Sequence, residues 1–328
     1  LAAALPGAAM ARRRLENATA LAPASLAQGA AGAQLSLALG LRVAAWCLRA
    51  DSKTPRDCDN YDFRCDCGED AFFVAGPDAS TAAFGVADGV GGWRRHGVDP
   101  GEFAWQLMSH VRDAAEGEPS PSFDEVDSKK LLRKAFWQLL ASQERPIGGS
   151  TACVAQLNRE TGRLSVANLG DSAVVVVRGD EVLLQSVPQL HRFNFPFQLS
   201  VNQDYKRNGD PPEVADLYDL TVVPGDLVLL MTDGVTDNVP LSEIVSSIRD
   251  SYTGHPRSVS HAIGRLAAER SRDTVAHSPF SLAAQRSGVN RAPGGKQDDI
   301  TVLVAKVERT PMDGEGQAST STTGDIRR

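Results

Sequence analysis

The residues of this 328-residue chain best suited to chemistry are acidic, and they stand beside apolar runs. Glu69 and Asp70 immediately precede AFFVA, Asp88-Gly89 immediately follows AAFGVA, and the turn-forming GPDAS lies between the two runs. If the runs pair as a hairpin about Ala79, Asp70 and Asp88 meet at its open end. The arrangement returns later, where Asp233 follows DLVLLM and Asp298-Asp299 precede ITVLVAKV, so antiparallel pairing would make those carboxylates converge as well. Four or five carboxylates gathered at one sheet end repel one another unless cations neutralise them. All-oxygen donors select magnesium, manganese or calcium over zinc. Any one Asp-Gly pair is more often a plain turn; the repetition of acidic sites at strand ends is what argues for a metal centre.

Sulfur chemistry is the competing reading. Cys58 and Arg64 have the Cys-x5-Arg spacing of thiol-dependent phosphatases, but the intervening residues are bulky and acidic and include no glycine. Carboxylates there would raise the thiol pKa and repel a phosphate dianion. Cys58, Cys65 and Cys67 offer three thiolates, yet no second cysteine pair or well-spaced histidine completes a zinc site. Asp57 and Asp59 do not open a calcium loop, since its sixth position is Asp62 and its twelfth is Gly68. The five cysteines (Cys47, Cys58, Cys65, Cys67, Cys153) form an odd, scattered set that reads as reduced thiols of an intracellular compartment, without a disulfide scaffold.

The elements that must position the acidic residues are mostly strands. Short β-type runs alternate with turn residues (AFFVA, AAFGVA, TACVAQL, LSVANL, AVVVV, EVLLQ, YDLTVV, DLVLLM, ITVLVAKV), which predicts antiparallel sheets. Residues 100–115, 127–143 and part of 241–270 place apolar residues at helical spacing. Strand clusters separated by a helical block predict an α+β layered fold rather than a βαβ repeat. Residues 188–218, rich in Pro, Asn and Asp, are expected to be a long loop, a flap beside the acidic site that contributes to substrate choice.

In order along the chain, Glu69-Asp70, GVADGVGGW (85–93), GGSTA (148–152), NLGDS (168–172), MTDGVTDN (231–238) and GGKQDDITVLV (294–304) resemble the motifs of type 2C (PPM-type) metal-dependent protein phosphatases, over roughly residues 60–308. DGVGGW followed by GVDPGEFAWQLM, and later HRFNFPFQLS, is similar to an organelle-associated branch related to the phosphatase that acts on a coenzyme Q biosynthesis protein. The resemblance implies a central β-sandwich flanked by helices, with a binuclear Mn2+ or Mg2+ centre at one end. It implies that Asp88 bridges both cations, that the Gly89 carbonyl and Glu69 complete one site, and that Asp233 and Asp298 hold the other. Asp70 would orient the attacking water, and Asp171 and Asp237 match a weaker third site. Asp299 is expected to hydrogen-bond locally. The substrate implied is a serine or threonine phosphoprotein, hydrolysed by water activated between the cations. Two positions depart from the family pattern. Val90 replaces a histidine that many relatives carry as a proton donor, leaving His96 and His191 within reach by sequence order alone. Cys65 replaces a phosphate-binding arginine, and Arg64, one residue earlier, would face the other way in a strand.

Composition agrees with a folded enzyme. A chain that is 42% hydrophobic can bury a large core, and a net charge of −7 argues against nucleic-acid binding. The run 35–48 contains Arg42 and is too short for a membrane span. Residues 1–50, rich in alanine and arginine with Glu16 as their single acidic residue, read as a transit peptide. That places a phosphatase domain at 51–309 in the mitochondrial matrix or plastid stroma, or in the cytoplasm if the leader is not a transit peptide. Residues 310–328 read as a disordered tail. A monomer is expected. The non-enzymatic alternative is a phosphatase-shaped binding or regulatory protein, which the presence of Glu69, Asp88, Asp233 and Asp298 disfavours.

Overall fold

In the computed structural model, which describes residues 39–310 apart from 53, 59–64 and 118–125, the apolar runs pair into antiparallel sheets. The chain enters through β1 (Leu39–Leu48) and the short β2 (Arg56–Asp57), then forms the hairpin β3 (Asp70–Ala75) and β4 (Thr81–Asp88). Helices α1 (Pro100–Glu116) and α2 (Ser128–Ala141) follow. Next come β5 (Gly148–Ser150), β6 (Ala152–Asn158), β7 (Arg163–Leu169), β8 (Ala173–Arg178) and β9 (Glu181–Gln185). Three short strands, β10 (Leu190–Arg192), β11 (Phe195–Pro196) and β12 (Leu199–Val201), lead to β13 (Asp216–Thr221) and β14 (Leu227–Met231). The one-turn α3 (Asp233–Thr236), then α4 (Leu241–Ser251), α5 (Pro256–Arg272) and α6 (Pro279–Arg286), precede the last strand, β15 (Ile300–Arg309).

One sheet runs β2-β1-β15-β14-β8-β9 and the other β13-β7-β6-β4-β3. Because side chains alternate along a strand, each sheet has an inner and an outer face. Phe72, Val74, Phe84 and Val86 meet Val228, Leu230, Leu303 and Ala305 between the sheets. The neighbours of these residues point outwards: Phe73 and Ala83 toward α1 and α2, Leu227, Leu229 and Met231 toward α4 and α5. Both faces of the central strands are therefore dry, which is why LVLLM and ITVLVA read as continuous apolar runs. The helices present matching stripes, Phe103, Leu107 and Val111 on α1 and Val259, Ile263 and Ala267 on α5. Each fully buried side chain of this size is worth about 1.5–3 kcal/mol of transfer free energy, so the three layers of core dominate stability. The architecture is the expected α/β/β/α sandwich.

Local signals set the helix boundaries. Asp99 caps α1 by accepting from Gly101 N at 3.0 Å with Pro100 at the first position, and Asp127 caps α2 by accepting from Lys129 N and Lys130 N. The helical stretch expected in 241–270 is two helices, because His255-Pro256 begins a new one.

Three expectations need correction. Residues 39–48, assigned to the leader, are β1, whose ten residues all pair with β15 from Leu39↔Arg309 to Leu48↔Ile300, with Trp46 and Cys47 buried. The folded domain thus reaches back beyond residue 51. The rest of the leader, and residues 311–328 of the tail, lie outside the described residues. Second, the expected loop 188–218 is largely ordered by strands: β10 and β11 pair with each other, and β12 pairs with β5, burying Leu199 and Val201. Third, the cysteines are not five separate thiols: Cys47 is bonded to Cys67 and Cys58 to Cys65, while Cys153 is free and buried.

The β1 pairing makes a direct prediction. A chain beginning at residue 39 should unfold cooperatively, whereas one beginning at 51 uncovers an edge of β15 and the Trp46 site against α5. The shorter chain should lose its near-ultraviolet circular dichroism and aggregate; a sharp, unchanged melting transition would show that β1 is dispensable.

Candidate metal centre

The hairpin register brings the first pair of acidic residues together: Asp70 lies directly across from Asp88. Asp88 ends β4 under backbone restraint. Its N–H donates to Thr151 Oγ1 (3.0 Å), and its carbonyl accepts from Thr151 N (2.9 Å) and Ser150 Oγ (2.8 Å). The GGSTA segment thus clamps the strand end. Gly89 N donates to Glu69 O at 3.0 Å, and a Cβ at Gly89 would stand 2.4 Å from the Pro100 carbonyl, so only glycine fits this crossing.

The second pair converges because β14 and β15 are antiparallel neighbours, Met231 opposite Val302. Asp233 opens α3 just beyond β14, and Asp298 stands just before β15. Thr232 ties the pairs together across the sandwich: its Oγ1 donates to Asp70 Oδ2 at 2.9 Å and accepts from Thr301 N at 3.0 Å. Asp171 lies in the turn between β7 and β8. Its carboxyl is pushed up by burial and by the charges of Asp233 and Asp237, which places it in the same electrostatic cluster.

Lys296 stands among these groups, a residue to which sequence reading assigned no role. Its Nζ lies 2.5 Å from Asp233 Oδ2, 2.8 Å from Asp237 Oδ2 and 3.0 Å from Asp298 Oδ2. Asn238 positions it, accepting from Lys296 N and donating to Lys296 O, each at 2.8 Å. Burial disfavours the ammonium, but Asp233, Asp237 and Asp298 outweigh it and hold the lysine pKa well above its ordinary value. Arg94, in the 3-10 turn Gly91–His96, brings a second cation, its guanidinium paired with the Glu69 carboxylate.

Even with these cations the cluster is under-neutralised. Burial, then the neighbouring carboxylates, push Asp70 and Asp88 well above the usual range, and Asp237 rises to about 7 for the same reasons. Burial, then the charge of Asp233, raises Asp298, and burial raises Glu69 against the opposing pull of Arg94. Two buried oxygens, Asp70 Oδ1 and Asp233 Oδ1, have no hydrogen-bond partner. An all-oxygen, anion-rich site with orphaned oxygens fits hard divalent cations.

Asp299 is different. Its oxygens accept from Ala50 N and Glu69 N, both at 2.6 Å, so in place of the expected local bond its carboxylate holds backbone from segments far away in sequence. Arg64 lies outside the described residues. His96 and His191 both line a cleft of about 570 Å³ that opens beside Val90 and is walled by Trp93, Phe195 and Asp210. His191 is committed to the wall itself, with Nε2 3.0 Å from Asp210 Oδ2 and its ring stacked on Phe197.

Comparison with known proteins agrees with this geometry. The family model of the stage II sporulation protein E (SpoIIE) matches residues 78–308. The protein phosphatase PTC7 homolog fig of Drosophila mojavensis is 43% identical over 250 residues, covering 74% of this chain and 78% of that protein. Its counterpart in Drosophila melanogaster is 40% identical over 253 residues, covering 74% and 77%. Among solved structures, the photosystem II phosphatase PBCP superposes with a TM-score of 0.67 at 31% identity, over 82% of this chain and 99% of that one. The serine/threonine phosphatase of S. agalactiae shares the fold, with a TM-score of 0.55 at 14% identity over 82% and 100% of the two chains. The chain belongs to the PPM-type, or type 2C, family of metal-dependent protein serine/threonine phosphatases.

Proposed function

We propose that Glu69, Asp88, the Gly89 carbonyl, Asp233 and Asp298 hold two Mn2+ or Mg2+ ions, with Asp88 shared, and that Asp171 and Asp237 form a weaker third site. The observation that carries this assignment is the convergence of two strand pairs on one sheet end, Asp70 across from Asp88 and Asp233 beside Asp298 on a common lysine. When bound, such a cation pair supplies Lewis-acid stabilisation of the phosphoryl oxygens and a nucleophilic water of lowered pKa. The chain's own residues do the positioning. Thr232 fixes one oxygen of Asp70 and leaves the other, Oδ1, to accept a proton in a hydrogen bond from that water. Lys296 holds Asp233, Asp237 and Asp298 convergent. No thiol takes part: Cys153 is buried and its thiol is pushed far up by desolvation.

The purified chain should hydrolyse a small aryl phosphate with added manganese and lose that activity in a chelator. Asp88→Ala should lower kcat/KM on the order of a thousandfold and abolish tight manganese binding in calorimetry. Asp237→Ala should keep the tight sites and lose turnover only. Wild-type metal affinity in Asp88→Ala, or loss of the tight sites in Asp237→Ala, would overturn the ligand assignment.

The cleft beside Val90 is the proposed seat of the phosphoprotein chain around the phosphorylated residue. Its wall is the 188–218 lobe, with Phe195 partly exposed to it. Deleting 200–215 would remove part of β12 and the core residue Val201, so a point substitution is the cleaner test. Phe195→Ala should cost on the order of tenfold in kcat/KM on a phosphoprotein and leave aryl phosphate hydrolysis nearly unchanged. Equal losses on both substrates would remove the lobe from substrate choice.

We also propose that the alanine- and arginine-rich leader directs import into the mitochondrial matrix or plastid stroma. Its composition supports this, as does the 31% identity to a photosystem II phosphatase. Residues 1–38, with an initiating methionine and a fluorescent reporter, should localise to an organelle; a diffuse cytosolic signal would refute it.

A further inference from the structure

The segment from Arg49 to Gly68 joins β1 to β3 and is poorly made for a core. It is rich in aspartate and arginine, and Ala50, Pro55, Tyr61 and Phe63 are its few apolar residues apart from cysteine. It nevertheless carries Glu69 at its exit and must hold that carboxylate against its neighbours' repulsion. A stretch that cannot bury apolar area needs another staple, and bonded sulfur or metal are the usual ones.

Three of its cysteines and the last-but-one residue of β1 supply it. Cys47 lies in β1, Cys58 just beyond β2, and Cys65 and Cys67 in the approach to β3, yet their four sulfurs all lie within 4.8 Å of one another. Two unrelated disulfides have no reason to share one point in space. Four thiolates around one ion do: with Zn–S bonds of about 2.3 Å, the sulfurs of a tetrahedral site stand about 3.8 Å apart. The 4.8 Å bound on every sulfur pair here is about 1 Å above that spacing. Soft thiolates select zinc among the common structural cations, in contrast to the all-oxygen centre nearby. Cys47, Cys58 and Cys67 are buried and Cys65 is half-buried, as a closed structural site requires.

We propose that Cys47, Cys58, Cys65 and Cys67 form a structural Zn2+ site in the reduced chain, and that the two sulfur–sulfur bonds of this structure are the metal-free, oxidised form of the same cluster. The forms interconvert with balanced chemistry. Four bound thiolates give up four electrons to an oxidant of the peroxide class, two S–S bonds form, the cation leaves, and two peroxides take the electrons and four solvent protons to become four waters. The site lies two residues before Glu69 and three before Ala50, the two backbone positions that Asp299 grips, so it fixes both ends of that grip.

The test uses the full-length chain, reduced anaerobically with a phosphine and titrated with Co2+ in excess Mg2+. One equivalent should raise a sulfur-to-cobalt charge-transfer absorption, which an all-oxygen centre cannot give, and one equivalent of Zn2+ should remove it. Asp88→Ala should keep the signal, and Cys67→Ser should lose it. In the wild type, zinc should protect all four cysteines from alkylation, read by mass spectrometry, with chelation exposing them. The proposal is overturned if the reduced wild-type chain gives no charge-transfer band, if alkylation is indifferent to zinc, or if both disulfides persist in the folded, phosphine-treated protein.

Discussion

Carboxylates that are forced together set the terms for the rest of this molecule. Two unit charges about 4 Å apart repel by about 4 kcal/mol at a protein-like dielectric, and a domain has only about 5–15 kcal/mol of stability to spend. Asp70, Asp88, Asp171, Asp233, Asp237 and Asp298 act on one another at one sheet end. Such a cluster survives only with protons or cations among its members. Lys296 supplies one charge from within, yet burial, and after it the charge of Asp233, still raises the Asp298 carboxyl.

Rigidity is what keeps the cluster from relieving itself by moving apart. Asp70, Asp88, Asp233 and Asp298 stand at or beside the ends of strands whose two faces are buried in core, and those ends are cross-braced by hydrogen bonds. Thr151 and Ser150 hold Asp88, Thr232 holds Asp70, and Asn238 holds the backbone of Lys296. Gly68 belongs to the same logic: at φ +80° it turns the chain where any Cβ would meet the Asp299 carboxylate at 2.4 Å. Sites built on element ends in this way keep their geometry better than sites on free loops.

What could be read from the sequence was what is periodic or local. Two-residue alternation around a turn gave the Asp70–Asp88 register, and the paired apolar runs gave the meeting of Asp233 with Asp298. What could not be read depends on partners remote in the chain. GLRVAAWCL looked like leader because its alanine and arginine match the preceding composition, and only β15 makes it a strand. Lys296 sat in a quoted motif, but a lysine between glycine and glutamine reads as surface until Asn238 and three carboxylates surround it. The cysteines looked like an incomplete zinc set because Cys47 lies beyond any local spacing rule; the fold, not the spacing, supplies the fourth sulfur. The 188–218 lobe was misjudged because strands of two or three residues carry almost no alternation.

The pairing of the first strand with the last orders events in time. A ribosome delivers β1 early and β15 last, and Asp299, which grips Ala50 and Glu69, arrives with β15. Until that segment emerges, the six-stranded sheet has an unfilled slot between β1 and β14, and Glu69 lacks its anchor. Long-range closure of this sort is slow compared with local hairpins. A nascent chain of this phosphatase therefore has no assembled centre with which to act during its own synthesis, and a chain cut short of residue 299 has none at all.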